Sequence, residues 1–351
     1  MTPVRTWLAS RLGVALLVVA AAHGLHGFLD GWDSWDVTVL REVAQFGYGG
    51  YPHHYADADV AAFFPGFPLV LHAVHWVVPS WTAAGLVVSL VAGAVACVFL
   101  GRLAALDDVD GGLATLVLVL SPYAVFLAAG YSEALFLALA LPGWWAARRG
   151  HWAAASLLVA GASAVRVNGL FLAVALVVQW LVASRDRRVV AWLATPFLVV
   201  LAYFAYLHHL TGDWLRWFHA QQQGWQRDLT WPWTAFRTTW HAAFHGGYSP
   251  EYTWSFRAEI LAVLVGVLLT AVLLRRRSWG EATYVGLSVA ALATSSFYLS
   301  VARATLLWFP LWLLLAEAVS RRPWLRTAYL ATSTPLMAAG VLTFTAGHWV
   351  G

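Results

Sequence analysis

Charge enters this apolar chain at a few places, and those places set what chemistry it can do. Residues 31–50 read GWDSWDVTVLREVAQFGYGG, with Asp33 and Asp36 in two Trp-Asp pairs. Glu133 stands in AAGYSEALF, Arg166 in AVRVNG and Arg303 in SVARATLLWFP. An ionisable group at membrane depth costs on the order of 3 kcal/mol on insertion scales, so such groups face a cavity and a partner. Two arginines with two or three carboxylates on one face make a site for an anionic group, with a general base beside it. The plainer alternative stays equally open: Glu133 pairs with Arg166 or Arg303 and simply holds helices together.

Other chemistry has little support. His72 and His75 share a helix face, and His53-His54 stand near Asp57 and Asp59. A metal needs three or four converging ligands, and among 13 histidines chance spacing is the better account, so no metal is expected. Neither a Gly-Lys-Ser phosphate loop nor a Gly-x-Ser-x-Gly elbow is present, which removes support for ATP hydrolysis and serine-hydrolase chemistry. The single cysteine, Cys97, lies in an apolar run, so disulfides are out.

The elements that must position these residues are membrane helices. Of 351 residues, 61% are apolar and 11% charged, where a soluble domain carries about 25% charged residues. Apolar windows fall at 8–28, 63–79, 82–104, 112–129, 131–147, 152–166, 168–184, 189–210, 258–274, 282–300, 303–319 and 325–347, each near the roughly 20 residues that a span needs. The first is read as an uncleaved helix, not a signal peptide. All 21 basic residues are arginine, clustered at 148/149, 185/187/188, 275–277 and 321/322, a positive-inside pattern and no nucleic-acid face. With those clusters inside, 63–79 and 82–104 cannot both cross, and the Pro-containing 63–79 is the expected re-entrant segment. Two long outer segments remain within a single domain, 1–351. Residues 29–62 carry the Trp-Asp pairs. Residues 211–257 carry seven Trp, either an interfacial belt or a hold on a lipid-linked or sugar substrate.

The motifs resemble those of the PIG-V mannosyltransferases, including their bacterial relatives, within the GT-C superfamily. The family opens with Trp-Asp, ten residues, Gly-Tyr, then Phe-Phe-Pro-x-x-Pro-Leu; here these read WDVTVLREVAQFGY (35–48) and FFPGFPL (63–69). The likeness continues through SPYAVFLAAGYSEALF (121–136), RVNG (166–169), QQQGWQR (221–227) and ARATLLWFP (302–310). Counting back from Gly47 selects Asp36, and leaves Asp33 as a like-charged neighbour or, preferably, a solvated loop residue.

The resemblance implies an all-α polytopic membrane protein, a GT-C-like bundle of about 10–12 transmembrane helices with a large first outer loop. It implies an inverting enzyme of a bacterial plasma membrane, using polyprenyl-phosphate mannose as donor at the outer face, with no cofactor. The acceptor is a glycolipid, polysaccharide or protein. Asp36 is the expected base; Arg166 and Arg303 the donor-phosphate ligands; Trp35, Tyr131, Glu133, Asn168, Gln222, Trp225 and Arg227 the substrate contacts. A transporter or flippase of an anionic lipid is the alternative. It would use the same buried charges, but the inverted repeats usual for that class are absent.

Overall fold

The computed structural model describes residues 2–22, 27–49, 59–183 and 186–350. His53, His54, Asp57 and Arg185 lie outside them. The α-helices are α1 (Pro3–Ala21), α2 (Asp36–Phe46), α3 (Gly66–His75), α4 (Trp81–Leu106), α5 (Gly111–Val119), α6 (Ser132–Arg148), α7 (Trp152–Val165), α8 (Asn168–Ala183), α9 (Val190–Leu193), α10 (Thr195–Thr211), α11 (Arg216–Trp225), α12 (Pro232–Phe244), α13 (Pro250–Arg275), α14 (Trp279–Ala293), α15 (Val301–Ala304), α16 (Phe309–Arg321) and α17 (Pro323–Thr345). Local chemistry sets many of the boundaries. The side chains of Thr2, Ser80 and Asp110 accept backbone N–H bonds at the starts of α1, α4 and α5, satisfying donors that a helix start leaves free. Gly212, at φ 75°, ends α10 in the left-handed conformation.

The chain is an all-α polytopic membrane protein. Pro3–Ala21, Trp81–Leu106, Arg187–Thr211 and Pro250–Arg275 are each long and apolar enough to cross a bilayer; Val301–Leu307 with Phe309–Arg321 would make a fifth, bent by 77°. Their outward faces stay apolar. Leu8, Leu12 and Leu16 on α1, and Leu261, Leu264 and Leu268 on α13, are exposed at helical spacing, as a lipid-facing stripe requires. Window 82–104 is thus the full-length helix α4, whereas 63–79 holds only the ten-residue α3, about 15 Å long at 1.5 Å per residue.

Several expected windows are broken. Residues 112–129 divide into α5 and a 3-10 turn at Ala124–Leu127, and 282–300 ends its helix at Ala293. The two long segments expected to be outer loops are in turn more helical than that reading. Residues 29–62 contain α2, and 211–257 contain α11, α12 and the first turns of α13. In α12, Ala235, Thr239, Ala242 and Ala243 face inward while Trp233, Phe236, Trp240 and Phe244 face outward. That 3.6-residue period was hidden in the sequence because its outward face is aromatic rather than polar.

The core runs between α1, α4, α6, α7, α8 and α14, with Trp7, Trp144, Trp308, Phe126 and Tyr284 fully buried. Gly93 lets α1 and α4 meet: a Cβ there would lie 2.1 Å from the Trp7 ring, whose Nε1 donates to Leu90 O at 3.0 Å.

Candidate active site

Each charged residue of the site sits where a helix starts or breaks. Asp36 is the first residue of α2, Arg166 occupies the break between α7 and α8, Arg227 follows α11, and Arg303 lies in the four-residue α15. Five described non-glycine residues have φ in the left-handed region, and three adjoin this site: Trp35 (59°) before Asp36, Gln226 (52°) before Arg227, and Ser300 (61°) three residues before Arg303. Such conformations cost on the order of 1–3 kcal/mol each and persist where the surroundings over-determine them, chiefly at active sites.

The charges form one continuous chain of contacts. Arg303 donates from one Nη to Asp36 Oδ2 at 2.7 Å and from Nε to Glu133 Oε1 at 2.5 Å. Arg166 donates to the same Glu133 oxygen at 2.7 Å and to Ser132 Oγ at 2.7 Å. The Arg303 guanidinium lies over the rings of Phe126 and Tyr131, at 4.6 and 4.5 Å. The Tyr131 hydroxyl in turn accepts the Asp36 N–H at 3.2 Å. Asp33 takes no part: it pairs with Arg41 at 2.5 Å.

Beside this chain opens a cavity of about 420 Å³. Its polar wall includes Asp36, Ser132, Arg166, Asn168, Arg227 and Arg303, and its aromatic wall Phe63, Phe64, Trp217, Phe218 and Trp225. Arg227 differs from the other two arginines. It donates to Gln221 Oε1 at 3.2 Å and Leu299 O at 3.4 Å, both neutral, and makes no ion pair among the described residues. Burial, then the positive charges of Arg166 and Arg303, bring its guanidinium down to about 10. It stays charged at neutral pH.

The predicted residues divide accordingly. Asp36, Arg166, Arg303, Asn168, Trp225 and Arg227 line the cavity. Glu133 and Tyr131 lie wholly buried behind its wall. Trp35 is exposed and packs edge-on against Trp349, 5.2 Å between centroids, and Gln222 is not among the lining residues but donates to one of them, Asp228, at 2.5 Å. The wall residue of that run is Gln221, which also donates to Ala62 O. Tyr48 and Tyr203 both donate to Phe63 O, at 2.6 and 2.8 Å, which ties the Gly-Tyr element to the Phe-Phe-Pro element. Glycine at 169 is required by close approach: a Cβ would lie 2.3 Å from the Ser163 backbone, so α7 and α8 could not pack as tightly around Arg166.

Glu259 was overlooked in the sequence. It is a buried acid within the apolar 258–274 window, so the argument that flagged Glu133 applies to it equally. Among the described residues His72 contacts no acid; its Nδ1 meets Ala44 O at 2.7 Å, and His75 stacks on Trp81. Among the described residues no three His, Cys, Asp or Glu side chains are grouped as metal ligands.

Residues 11–208 match the family described as Mannosyltransferase (PIG-V). GPI alpha-1,6-mannosyltransferase 2 of Mus musculus is 36% identical over 160 residues, that of Rattus norvegicus 36% over 159, and that of Homo sapiens 35% over 159. Each match covers 42% of this chain and 31% of the relative, so the chain matches about a third of the length of these curated proteins.

Proposed function

The chain belongs to the PIG-V mannosyltransferase family, and from that premise we propose that it moves mannose from polyprenyl-phosphate mannose to an acceptor hydroxyl, with inversion, at the outer face of a bacterial plasma membrane. The observation that carries this reading is one cavity lined by the Asp36 carboxylate, by three guanidinium groups, of which that of Arg303 is bonded to Asp36, and by an aromatic wall. The acceptor oxygen attacks the anomeric carbon from the side opposite the phosphate, while Asp36 takes its proton. The bond from that carbon to the phosphate oxygen breaks, and polyprenyl phosphate leaves with one more negative charge. Arg166, Arg303 and Arg227 face that growing charge. The aromatic wall holds the apolar part of the donor, so binding remote from the reacting atoms contributes to catalysis.

Arg227 should contribute most to donor affinity, because Arg166 and Arg303 already share carboxylate partners. Arg227→Ala is expected to raise the donor KM about 10- to 100-fold, as loss of a charged hydrogen bond of about 1.5–3 kcal/mol would, with a smaller change in kcat. An unchanged donor KM would remove Arg227 from the phosphate site.

The reading as a whole is tested with purified protein in detergent and synthetic polyprenyl-phosphate mannose. Transfer is expected, and expected to persist in excess EDTA, since arginines can balance a single phosphate without a metal. Activity lost to the chelator and restored by Mg²⁺ or Mn²⁺ would overturn the metal-free mechanism. Transfer from GDP-mannose alone would overturn both the donor and the outer-face site.

A further inference from the structure

Glu259, on α13, is 2% exposed and makes no ion pair among the described residues. Both of its oxygens are nevertheless occupied. Oε1 accepts from the Ser300 N–H at 2.8 Å, and Oε2 from those of Val301 at 2.6 Å and Ala302 at 3.1 Å. Those three N–H groups open the short helix that carries Arg303. Ser300 holds φ 61°, and the segment continues into a 77° bend before α16. Four residues make at most one internal helical bond, so this piece cannot hold its own geometry.

We propose that Glu259 is a positioning residue: its carboxylate clamps Ser300–Ala302 and thereby fixes where Arg303 meets Asp36 and Glu133. A buried carboxylate is costly unless its hydrogen bonds are made, and here every bond goes to the backbone that aims one side chain. Glu259 does not line the cavity, and all three of its hydrogen bonds go to the segment just before Arg303, so we take Arg303 as its route to transfer.

The kinetic part of this proposal rests on the transfer activity inferred above, so the test has one arm that does not. In hydrogen–deuterium exchange of the full chain in detergent, Glu259→Gln should speed exchange in peptides covering 297–304, leaving α4 and α6 unchanged. Unaltered exchange there would overturn the clamp. In transfer assays Glu259→Gln should lower kcat about ten-fold or more, the scale of a slight misplacement of catalytic groups, while the donor KM stays within about two-fold of wild type. Combined with Arg303→Lys, it should cost little beyond Arg303→Lys alone, because residues acting through one contact are not additive. Losses that multiply, or a kcat like wild type, would overturn action through Arg303. If Glu259→Gln does not accumulate, Glu259→Asp takes its place in both arms; failure of both to accumulate would show that Glu259 serves the fold at large and would overturn the proposal. No transfer by the wild type would overturn the enzymatic reading, with the exchange arm still deciding the clamp.

Discussion

Asp36→Asn should abolish mannose transfer, by about 10²-fold or more, the usual range for losing a general base. Folding and donor binding should survive. Asparagine keeps an oxygen that can accept from Arg303, Arg303 keeps Glu133, and the Tyr131 hydroxyl still accepts the backbone N–H of residue 36. The donor KM is therefore expected to stay within a few-fold of wild type, and the melting temperature to fall less than for Glu133→Gln, because Arg303 keeps its second carboxylate. Asp33→Asn is the matched control. It removes an ion pair to Arg41 whose members are 28% and 14% exposed, a class worth about 0–1 kcal/mol, and it touches nothing in the cavity. Both variants would be assayed for initial rate with the same donor preparation. Near wild-type transfer by Asp36→Asn sinks the base assignment; equal losses in the two variants would show that the whole segment, not one carboxylate, had been disturbed.

Glu133→Gln is expected to give the largest loss of stability in the chain. Glu133 is fully buried and one of its oxygens receives both Arg303 and Arg166. Removing its charge leaves Arg303 paired with Asp36 alone and Arg166 with no ion pair among the described residues. Breaking a buried ion pair from one side costs about 3–5 kcal/mol, because the orphaned charge cannot return to water. Thermal unfolding in detergent should thus begin several degrees lower than for wild type, and transfer should fall with it because Arg303 loses its second anchor. A melting curve that overlays wild type would mean that Arg166 and Arg303 are stabilised by something other than this carboxylate. The two uses that the sequence left open for Glu133, tying helices together and serving the site, are here one arrangement: the residue sits behind the cavity wall and holds two of the arginines that line it.

Composition alone determined that this chain belongs in a bilayer, since hydrocarbon excludes unpaired charge and the chain is 11% charged. The same cost marked Asp36, Glu133, Arg166 and Arg303 one residue at a time, because insertion energy depends on a side chain and its depth, not on its partner. Partner choice could not be read that way. Arg303 meets Asp36 across 267 positions and Glu133 across 170, and no local period encodes contacts so distant. Helix length was equally hidden: an apolar window looks the same whether one helix crosses it, as in α4, or it breaks at a bend, as at Trp308. Within QQQGWQR the sequence resemblance selected Gln222, whereas Gln221 faces the cavity. Adjacent helical residues point about 100° apart, so only the seating of α11 against Ala62 decides which glutamine turns inward. Glu259 is the converse case: its residue type and depth were legible, but its use, three backbone bonds to the strand of chain before Arg303, exists only once α13 and α15 lie side by side.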